Sequence, residues 1–377
     1  MKCFAIAAPG LEPLLEQELT DLSIKCHAVP GGVEWTGSES SVAIANLWSR
    51  LATRVVVRIG EFRARTFFEL ERHAKKVEWD KYIGPGAPVQ FRVTARKSKL
   101  YHTGAIAERL EQAIGRKLKR DIVVAGTEDD DEGGAEGQLF IVRVERDEMV
   151  ISADTSGALL HRRGYRQAVA KAPLRETLAA AMLHGAPWNT RAPLVDPMCG
   201  SGTIAIEAAM IARKIPPGLD RKFAFLDWPG ADVARWNALV EHARGQILGK
   251  SPATIAASDR DAGAIEAAKS NAQRAGVLGD IEFAVQAISA ASPVGKGPGL
   301  LITNPPYGER VGESKAIRNL YAQLGNVARE KFDGWTLAML SPGKALEGEL
   351  KIPLEERFKT SNGGIPVRLV TGAIGAR

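Results

Sequence analysis

Leu194-Val195-Asp196-Pro197-Met198-Cys199-Gly200-Ser201-Gly202-Thr203 is the stretch that decides how this chain folds. A short apolar run closes on a carboxylate, the backbone turns through two glycines, and an apolar run from Ile204 to Ala212 leads on from the second. The pattern is strand, turn, helix. Gly200 and Gly202 lack Cβ, so the turn can bend tightly and approach a ligand closely, while the free N–H groups that open the helix face the same space. Asp196, at the carboxyl end of the strand, adds a negative charge there.

The spacing Gly200-x-Gly202-x-x-Ala205 formally fits the dinucleotide fingerprint, which also asks for an acidic residue at the end of the second strand about 20 residues on. Here the next good strand, Ala253 to Ser258, reaches Asp259 only after a long insertion. No Gly-Lys-Ser or Gly-Lys-Thr follows the turn, which disfavours a nucleoside triphosphate. A carboxylate beside the turn suits a cationic ligand better than a pyrophosphate. S-adenosylmethionine, with its sulfonium and ammonium, fits.

A second stretch narrows the chemistry: Leu300-Leu301-Ile302-Thr303-Asn304-Pro305-Pro306-Tyr307-Gly308-Glu309-Arg310. Another apolar strand ends in Asn-Pro-Pro-Tyr. Consecutive prolines fix φ and remove two N–H donors, leaving carbonyls free to accept. The Asn304 side-chain carbonyl and the Pro305 backbone carbonyl can each accept from an amino group and turn its lone pair toward an incoming methyl. Tyr307 offers a flat face to a base.

Asp-Pro-Met-Cys-Gly-Ser-Gly-Thr together with Asn-Pro-Pro-Tyr-Gly-Glu-Arg resembles the class I methyltransferases that modify the guanine exocyclic amine in large-subunit ribosomal RNA, fused to a THUMP RNA-binding domain. Asn-Pro-Pro-Tyr alone is shared by DNA adenine and protein glutamine methyltransferases. The Gly-Glu-Arg extension and Phe223-Ala224-Phe225-Leu226-Asp227-Trp228-Pro229 narrow the resemblance, which covers essentially the whole chain and is strongest from His161 onward. It implies catalytic roles for Asn304, Pro305 and Tyr307. It also implies that S-adenosylmethionine contacts Asp196, Pro197, Cys199, Gly200, Ser201, Gly202, Thr203 and Asn304, with Asp259 accepting from the ribose hydroxyls. Cys199 is expected to pack rather than react, because amine methylation by direct displacement needs no covalent enzyme step. One departure matters: related enzymes usually carry an acidic residue for the adenine amine after the third strand, where this chain has Ala287 in Val285-Gln286-Ala287-Ile288-Ser289, so Ala287 is expected to contact the cofactor through backbone N–H groups, its own or that of Ile288, at the adenine ring.

The expected fold class is α/β, a Rossmann-like doubly wound methyltransferase domain preceded by α+β ferredoxin-like and THUMP domains. Residues 1–60 read as strand, helix, strand, strand, helix, strand, a ferredoxin-like order. Residues 61–156 are assigned to the THUMP domain, 157–172 to a linker and 173–377 to the catalytic domain. From residue 61 to 120 the chain holds fifteen Lys or Arg against seven Asp or Glu, so its positive charge is concentrated there. The resemblance makes this the RNA-gripping region, with Arg92, Arg96, Lys97, Lys99, Arg116, Lys117 and Lys119 as contacts; the alternative is a solvated charged face. Glu128-Asp129-Asp130-Asp131-Glu132-Gly133-Gly134 is expected to loop away from a polyanion. His161-Arg162-Arg163-Gly164-Tyr165-Arg166, at the junction, touches cofactor or RNA or only braces the join. Beyond Pro173 the alternation of strands and helices becomes βαβ, with Asp196, Asp259 and Asn304 all at carboxyl ends of strands.

Composition agrees. With 377 residues, 45% apolar and 25% charged, the chain can bury a proper core over two or three domains. A formal charge of +6 favours a polyanionic partner, ribosomal RNA above all. No apolar run approaches the length of a membrane span, which predicts a cytoplasmic protein. Cys3, Cys26 and Cys199 have no Cys-x-x-Cys spacing, and His102, His161 and His184 no ligand spacing, so no metal is expected. The sequence leaves the oligomeric state open.

Overall fold

A computed structural model of the chain describes residues 1–124, 137–166, 174–307 and 314–375. The acidic stretch from Glu128 to Gly134 and the Gly308-Glu309-Arg310 extension lie outside the described residues.

At the N-terminus, strands β1 (Lys2–Ile6), β2 (Cys26–Val29), β3 (Gly32–Thr36) and β4 (Arg54–Arg63) alternate with helices α1 (Glu12–Asp21) and α2 (Glu39–Trp48). Period-two alternation sends Cys3 and Ala5 to one face of β1, where both are buried. Leu15 and Leu19 of α1, one helical turn apart, and Leu47 of α2 cover that face. Next come α3 (Phe67–Ala74), β5 (Val89–Arg96), α4 (Thr103–Leu118), β6 (Gln138–Glu145) and β7 (Glu148–Asp154). Thr66 caps α3 by accepting the Glu69 N–H, a helix that the density of charge hides in the sequence.

These elements do not form two separate sheets. Strand β4 pairs with β1 on one side and with β7 on the other, giving a single seven-stranded sheet ordered β2-β3-β1-β4-β7-β6-β5. The boundary expected at residue 60 therefore falls inside β4, which bends at a bulge between Arg58 and Gly60 and runs on to Arg63. Val55, Val56 and Val57 are all buried, so the strand shows no compositional break.

The second half is built as expected. Strands β8 (Leu194–Asp196), β9 (Ile255–Asp259), β10 (Ile281–Val285), β11 (Leu300–Thr303) and β12 (Thr336–Ser341) are parallel, and β13 (Glu355–Asn362) and β14 (Ile365–Ala373) add an antiparallel hairpin. Their order is β10-β9-β8-β11-β12-β14-β13. Helices α5 (Glu176–Gly185), α6 (Thr203–Ala212), α7 (Val233–Gly245), α8 (Ala262–Arg274), α9 (Ser314–Lys331) and α10 (Lys344–Leu350) complete it. No helix is long and apolar enough to cross a membrane among the described residues.

One apolar core runs through both halves, from Leu15, Leu19 and Leu47 to Ala179, Met182, Ile206 and Ala209. Inside it lies a charged knot. Glu207 of α6, fully buried, receives Arg50 Nη1 at 3.2 Å and the Tyr165 hydroxyl at 3.2 Å, with Arg163 Nε at 3.5 Å. Arg163 also donates to the Arg50 carbonyl at 2.7 Å. Of the three readings of the 161–166 stretch, bracing the junction describes Arg163 and Tyr165. Deleting one member of a buried ion cluster strands the others, a loss of about 3–5 kcal/mol. Glu207→Ala should lower stability by that amount, read as a fall in the urea midpoint with an unchanged denaturant slope.

Candidate active site

Strand order reverses between β8 and β11, whose successors run to opposite sides of the sheet, and in sheets of this topology the ligand crevice lies at such a point, outside the carboxyl ends of the strands. Asp196 ends β8 and Asn304 follows β11, so the two sequence motifs meet at this switch point. Asp259 ends β9, the next strand along.

The glycine turn is built by close approach. Gly200 has φ +51° and Gly202 φ +84°, both left-handed. A Cβ on Gly202 would sit 2.9 Å from the Ala268 methyl of α8, so the turn lies against that helix. A Cβ on Gly200 would meet nothing within 4 Å, so the turn's outer side is open to a ligand. Three groups hold the turn: Asp259 Oδ2 accepts the Gly200 N–H at 3.0 Å, the Ser258 carbonyl accepts the Cys199 N–H at 2.9 Å, and Asn271 Nδ2 donates to the Ser201 carbonyl at 3.1 Å. Asp261, not Asp259, caps α8, accepting from the Gly263 N–H at 2.8 Å. Arg166 Nη2 reaches Thr203 Oγ1 at 2.8 Å, while its Nε lies 3.1 Å from Glu176. Neither Asn271 nor Arg166 has a local sequence signal for this task, because their partners lie tens of residues away.

Electrostatics single out Asp196. Its carboxyl is 1% exposed and receives one N–H, from Met198 at 3.3 Å. Burial pushes its pKa up to about 7, against the pull of the Met198 N–H and the Thr303 hydroxyl, and the Asp259 charge adds to the rise. Such a carboxylate lacks a cation. Burial likewise drives the Cys199 thiol far above its usual range, aided by Asp196 and Asp259, which suits the packing role expected of it.

On the other wall, Pro305 is buried, Pro306 exposed and Tyr307 half-buried. Asn304 Oδ1 is buried and has no hydrogen-bond partner among the described residues. The Tyr307 hydroxyl accepts from Asn362 Nδ2 at 2.6 Å, bringing in a residue from the far hairpin that sequence reading missed. Ala287 is exposed and starts a short turn after β10, where the Gln286 N–H bonds to the Asp259 carbonyl at 2.9 Å. Pro197 and Ser201 complete the turn itself, with Ser201 buried.

The basic residues lie elsewhere, along the edge strand β5 of the first sheet and at the end of α4. Phe91 is buried while Arg92, Thr94 and Arg96 alternate outward and are exposed. Lys97 and Lys99 follow on a tight turn in which Lys97 has φ +49°. Asp147 pins this turn by accepting the Lys99 N–H at 2.8 Å and the Arg65 guanidinium at 3.0 Å. Lys117 and Lys119 are exposed at the end of α4, whereas Arg116 is engaged by Glu71 at 2.7 Å. Among the described residues no His, Cys, Asp and Glu cluster is arranged to hold a metal.

A cationic, amino-acid-bearing ligand fits this crevice: an uncompensated buried carboxylate, an open glycine turn at a helix start and an orphaned amide oxygen converge there. Similar proteins agree. Residues 163–370 match the RMKL-like methyltransferase domain, and residues 2–56 match the RlmL ferredoxin-like domain. The protein slr0064 of Synechocystis sp. is 36% identical over 370 residues, covering 97% of this chain and 95% of that one. The ribosomal RNA large subunit methyltransferase K/L of Syntrophotalea carbinolica is 36% identical over 98% of this chain, which spans 53% of that longer protein. The crystal structure of SMU.472 complexed with SAH is 32% identical, with a TM-score of 0.88 and coverage of 100% of this chain and 98% of that one. From its glycine turn, its switch-point crevice and these likenesses, the chain belongs to the RMKL-like methyltransferase family, with a ferredoxin-like domain at its N-terminus.

Proposed function

We propose that this protein methylates the exocyclic N2 amine of a guanine in RNA, with large-subunit ribosomal RNA as the substrate. S-adenosylmethionine is the methyl donor and, when bound, supplies an electrophilic methyl on a sulfonium. The observation that carries the acceptor side is the buried, unpartnered Asn304 Oδ1 beside the Pro305 carbonyl. An orphaned buried acceptor costs about 1–3 kcal/mol, and an arriving amino group removes that cost. Two N–H bonds, one to Asn304 and one to Pro305, would orient the amine's lone pair outward, and Tyr307 would stack on the base. An amine within a duplex cannot reach this loop, so the base must be flipped out.

On the donor side, Asp196 faces the cationic amino-acid end, the N–H groups from Gly200 to Thr203 line the turn, and Asp259 takes the ribose. Each Asp259 oxygen already holds one N–H, from Gly200 or Asp261, and retains a second lone pair for a hydroxyl. Ala287 lies where the adenine amine would ask for an acceptor and offers only backbone. Residues 61–156 act as the THUMP module, with Arg92, Arg96, Lys97, Lys99, Lys117 and Lys119 on phosphates; Arg116 must leave Glu71 to join them. That the K/L relative is named a ribosomal RNA large subunit methyltransferase supports ribosomal RNA. Nucleoside mass spectrometry of ribosomal RNA from cells lacking the protein tests the reading: loss of one N2-methylguanosine supports it, and loss of N6-methyladenosine in its place overturns the choice of base.

Asn304→Ala should lower methyl transfer by about 100-fold, the usual cost of one oriented group at a reacting centre. Calorimetry should show S-adenosylmethionine affinity nearly unchanged, and wild-type turnover would remove Asn304 from the mechanism.

Affinity for the donor should depend on pH through Asp196. Its raised pKa means that ionisation costs the ligand-free protein stability as pH climbs from about 4 toward 7, and a bound cation returns that cost. If only the ionised form binds well, the dissociation constant should fall about 10-fold between pH 6 and pH 8. Asp196→Asn should bind weakly at both, so titrations of the two proteins at each pH decide the matter.

Neutralising Arg96, Lys97 and Lys99 together should weaken RNA binding and flatten its logarithmic salt dependence by roughly 0.7–0.9 per lost phosphate contact. Donor affinity should stay the same. Unchanged RNA affinity across a salt series would make this edge a solvated face and nothing more.

A further inference from the structure

The geometry points to Asn362 as a positioning residue for the acceptor base, acting through the Tyr307 ring from the tip of the β13–β14 hairpin. This inference rests on the reading of Tyr307 as the stacking face. Tyr307 follows two prolines in a stretch, Asn304 to Tyr307, that is neither helix nor strand. What fixes it is distant in sequence: Asn362 Nδ2 donates to its hydroxyl at 2.6 Å. A ring tethered at its para position cannot swing about χ1 without breaking that bond, and only rotation about χ2, on whose axis the hydroxyl lies, is left to it. It thus meets an incoming base already in place, and less rotamer entropy is lost on stacking.

The hairpin is suited to this task. Asn362 pairs with Ile365 across a two-residue turn of Gly363 and Gly364, with φ +57° and +83°, the tight form that matches strand twist. Side chains opposite each other share a face, so Asn362 and Ile365 form the last rung of the face that buries Phe358, Val367 and Leu369. The inner rungs anchor the hairpin to the body, and the last rung projects past it, with Ile365 40% exposed. Two residues back on the same face, Thr360 Oγ1 is buried and lacks a partner among the described residues, a second unsatisfied polar group on this wall.

The N-terminal domain backs the hairpin. Gly10, in the turn before α1, has φ +85°, and a Cβ there would lie 1.9 Å from the Lys359 carbonyl oxygen of β13. The two backbones are in contact three residues from Asn362. The ferredoxin-like domain therefore sets where the hairpin tip stands, and through Asn362 it sets the position of the Tyr307 ring.

The test is a double-mutant cycle in the full-length protein with ribosomal RNA as acceptor. Asn362→Ala should lower kcat/KM for RNA roughly 5- to 10-fold, the scale of one net hydrogen bond, with S-adenosylmethionine affinity within twofold of wild type. Tyr307→Phe, which keeps the ring and removes the bond's acceptor, should do the same. The two together should cost no more than either alone. Gly10→Ala should reproduce the acceptor-side loss by displacing the hairpin, again without weakening the donor. Additive losses in the double variant, or an Asn362→Ala protein with wild-type kcat/KM, overturn the proposal. Tyr307→Ala separates the two claims: a loss well beyond that of Tyr307→Phe supports stacking, whereas wild-type turnover overturns the reading of Tyr307 itself and this inference with it.

Discussion

The structure depends first on a buried carboxylate. Glu207 lies five residues past Gly202 on α6, and it collects Arg50 from the first domain and Arg163 and Tyr165 from the junction. Removing such charges from water costs several kcal/mol each, offset only when every group finds partners of good geometry. Here the accounting extends further: Arg50 Nη2 donates to the Ile215 carbonyl at 2.5 Å, and the Arg50 N–H reaches Glu18 at 2.8 Å. Burial pushes the Arg50 guanidinium below its ordinary pKa, with Glu207 pulling it back. The helix that opens at the glycine turn is thereby locked to the N-terminal domain, and apolar packing continues around the lock without a gap. Two domains that meet in this way form a frame.

Within that frame the crevice holds groups that are not at ease. Burial pushes the Asp196 pKa up to about 7, and Asn304 Oδ1 has no donor among the described residues. A protein that is locally consistent elsewhere tends to keep its unsatisfied groups where a ligand completes them. The rigidity is needed to keep them so. A looser Asp259 or Asn271 would let the turn relax onto Asp196 and satisfy it internally, at the expense of whatever binds there.

How much of this was legible follows from sequence separation. The turn from Asp196 to Thr203 and the loop from Asn304 to Tyr307 are each continuous, and their chemistry can be read because the residues that act are neighbours in the chain. Doubly wound alternation then brings the two ends of β8 and β11 together without any side-chain signal. Asn362 reaching Tyr307, 55 residues back, and Arg50 reaching Glu207, 157 residues on, leave no periodic trace. The boundary at residue 60 was set by the Lys and Arg excess that begins at residue 61, and a change of charge does not show that strand β4 runs on through it to Arg63. Helix α3 was obscured by its charges, since only Leu70 and Ala74 are buried in it. The pinning of Lys97 and Lys99 by Asp147 went unseen because Asp147 belongs to the turn between β6 and β7.

Charge distribution gives the frame a reason to be stiff. Residues 61–120 carry a net +8, more than the +6 of the whole chain, while residues 173–377, more than three times as long, carry only +4. At physiological ionic strength exposed charges are screened beyond about 8 Å, so the basic β5 edge cannot attract a base into a crevice in the other domain. RNA held on that edge would influence chemistry only by geometry: phosphates held at one end must place a particular nucleotide at the other. Effective molarity for such delivery is lost when the connection flexes, since a misplacement of about 1 Å at the reacting centre can cost 100-fold in rate. A sheet continuous from β2 to β5, a buried ionic knot on α6 and a backbone contact between Gly10 and Lys359 are three independent ways of denying that flexibility. The first carries the basic edge, the second holds the glycine turn and the third sets the wall beside Tyr307, so all three are fixed to one body.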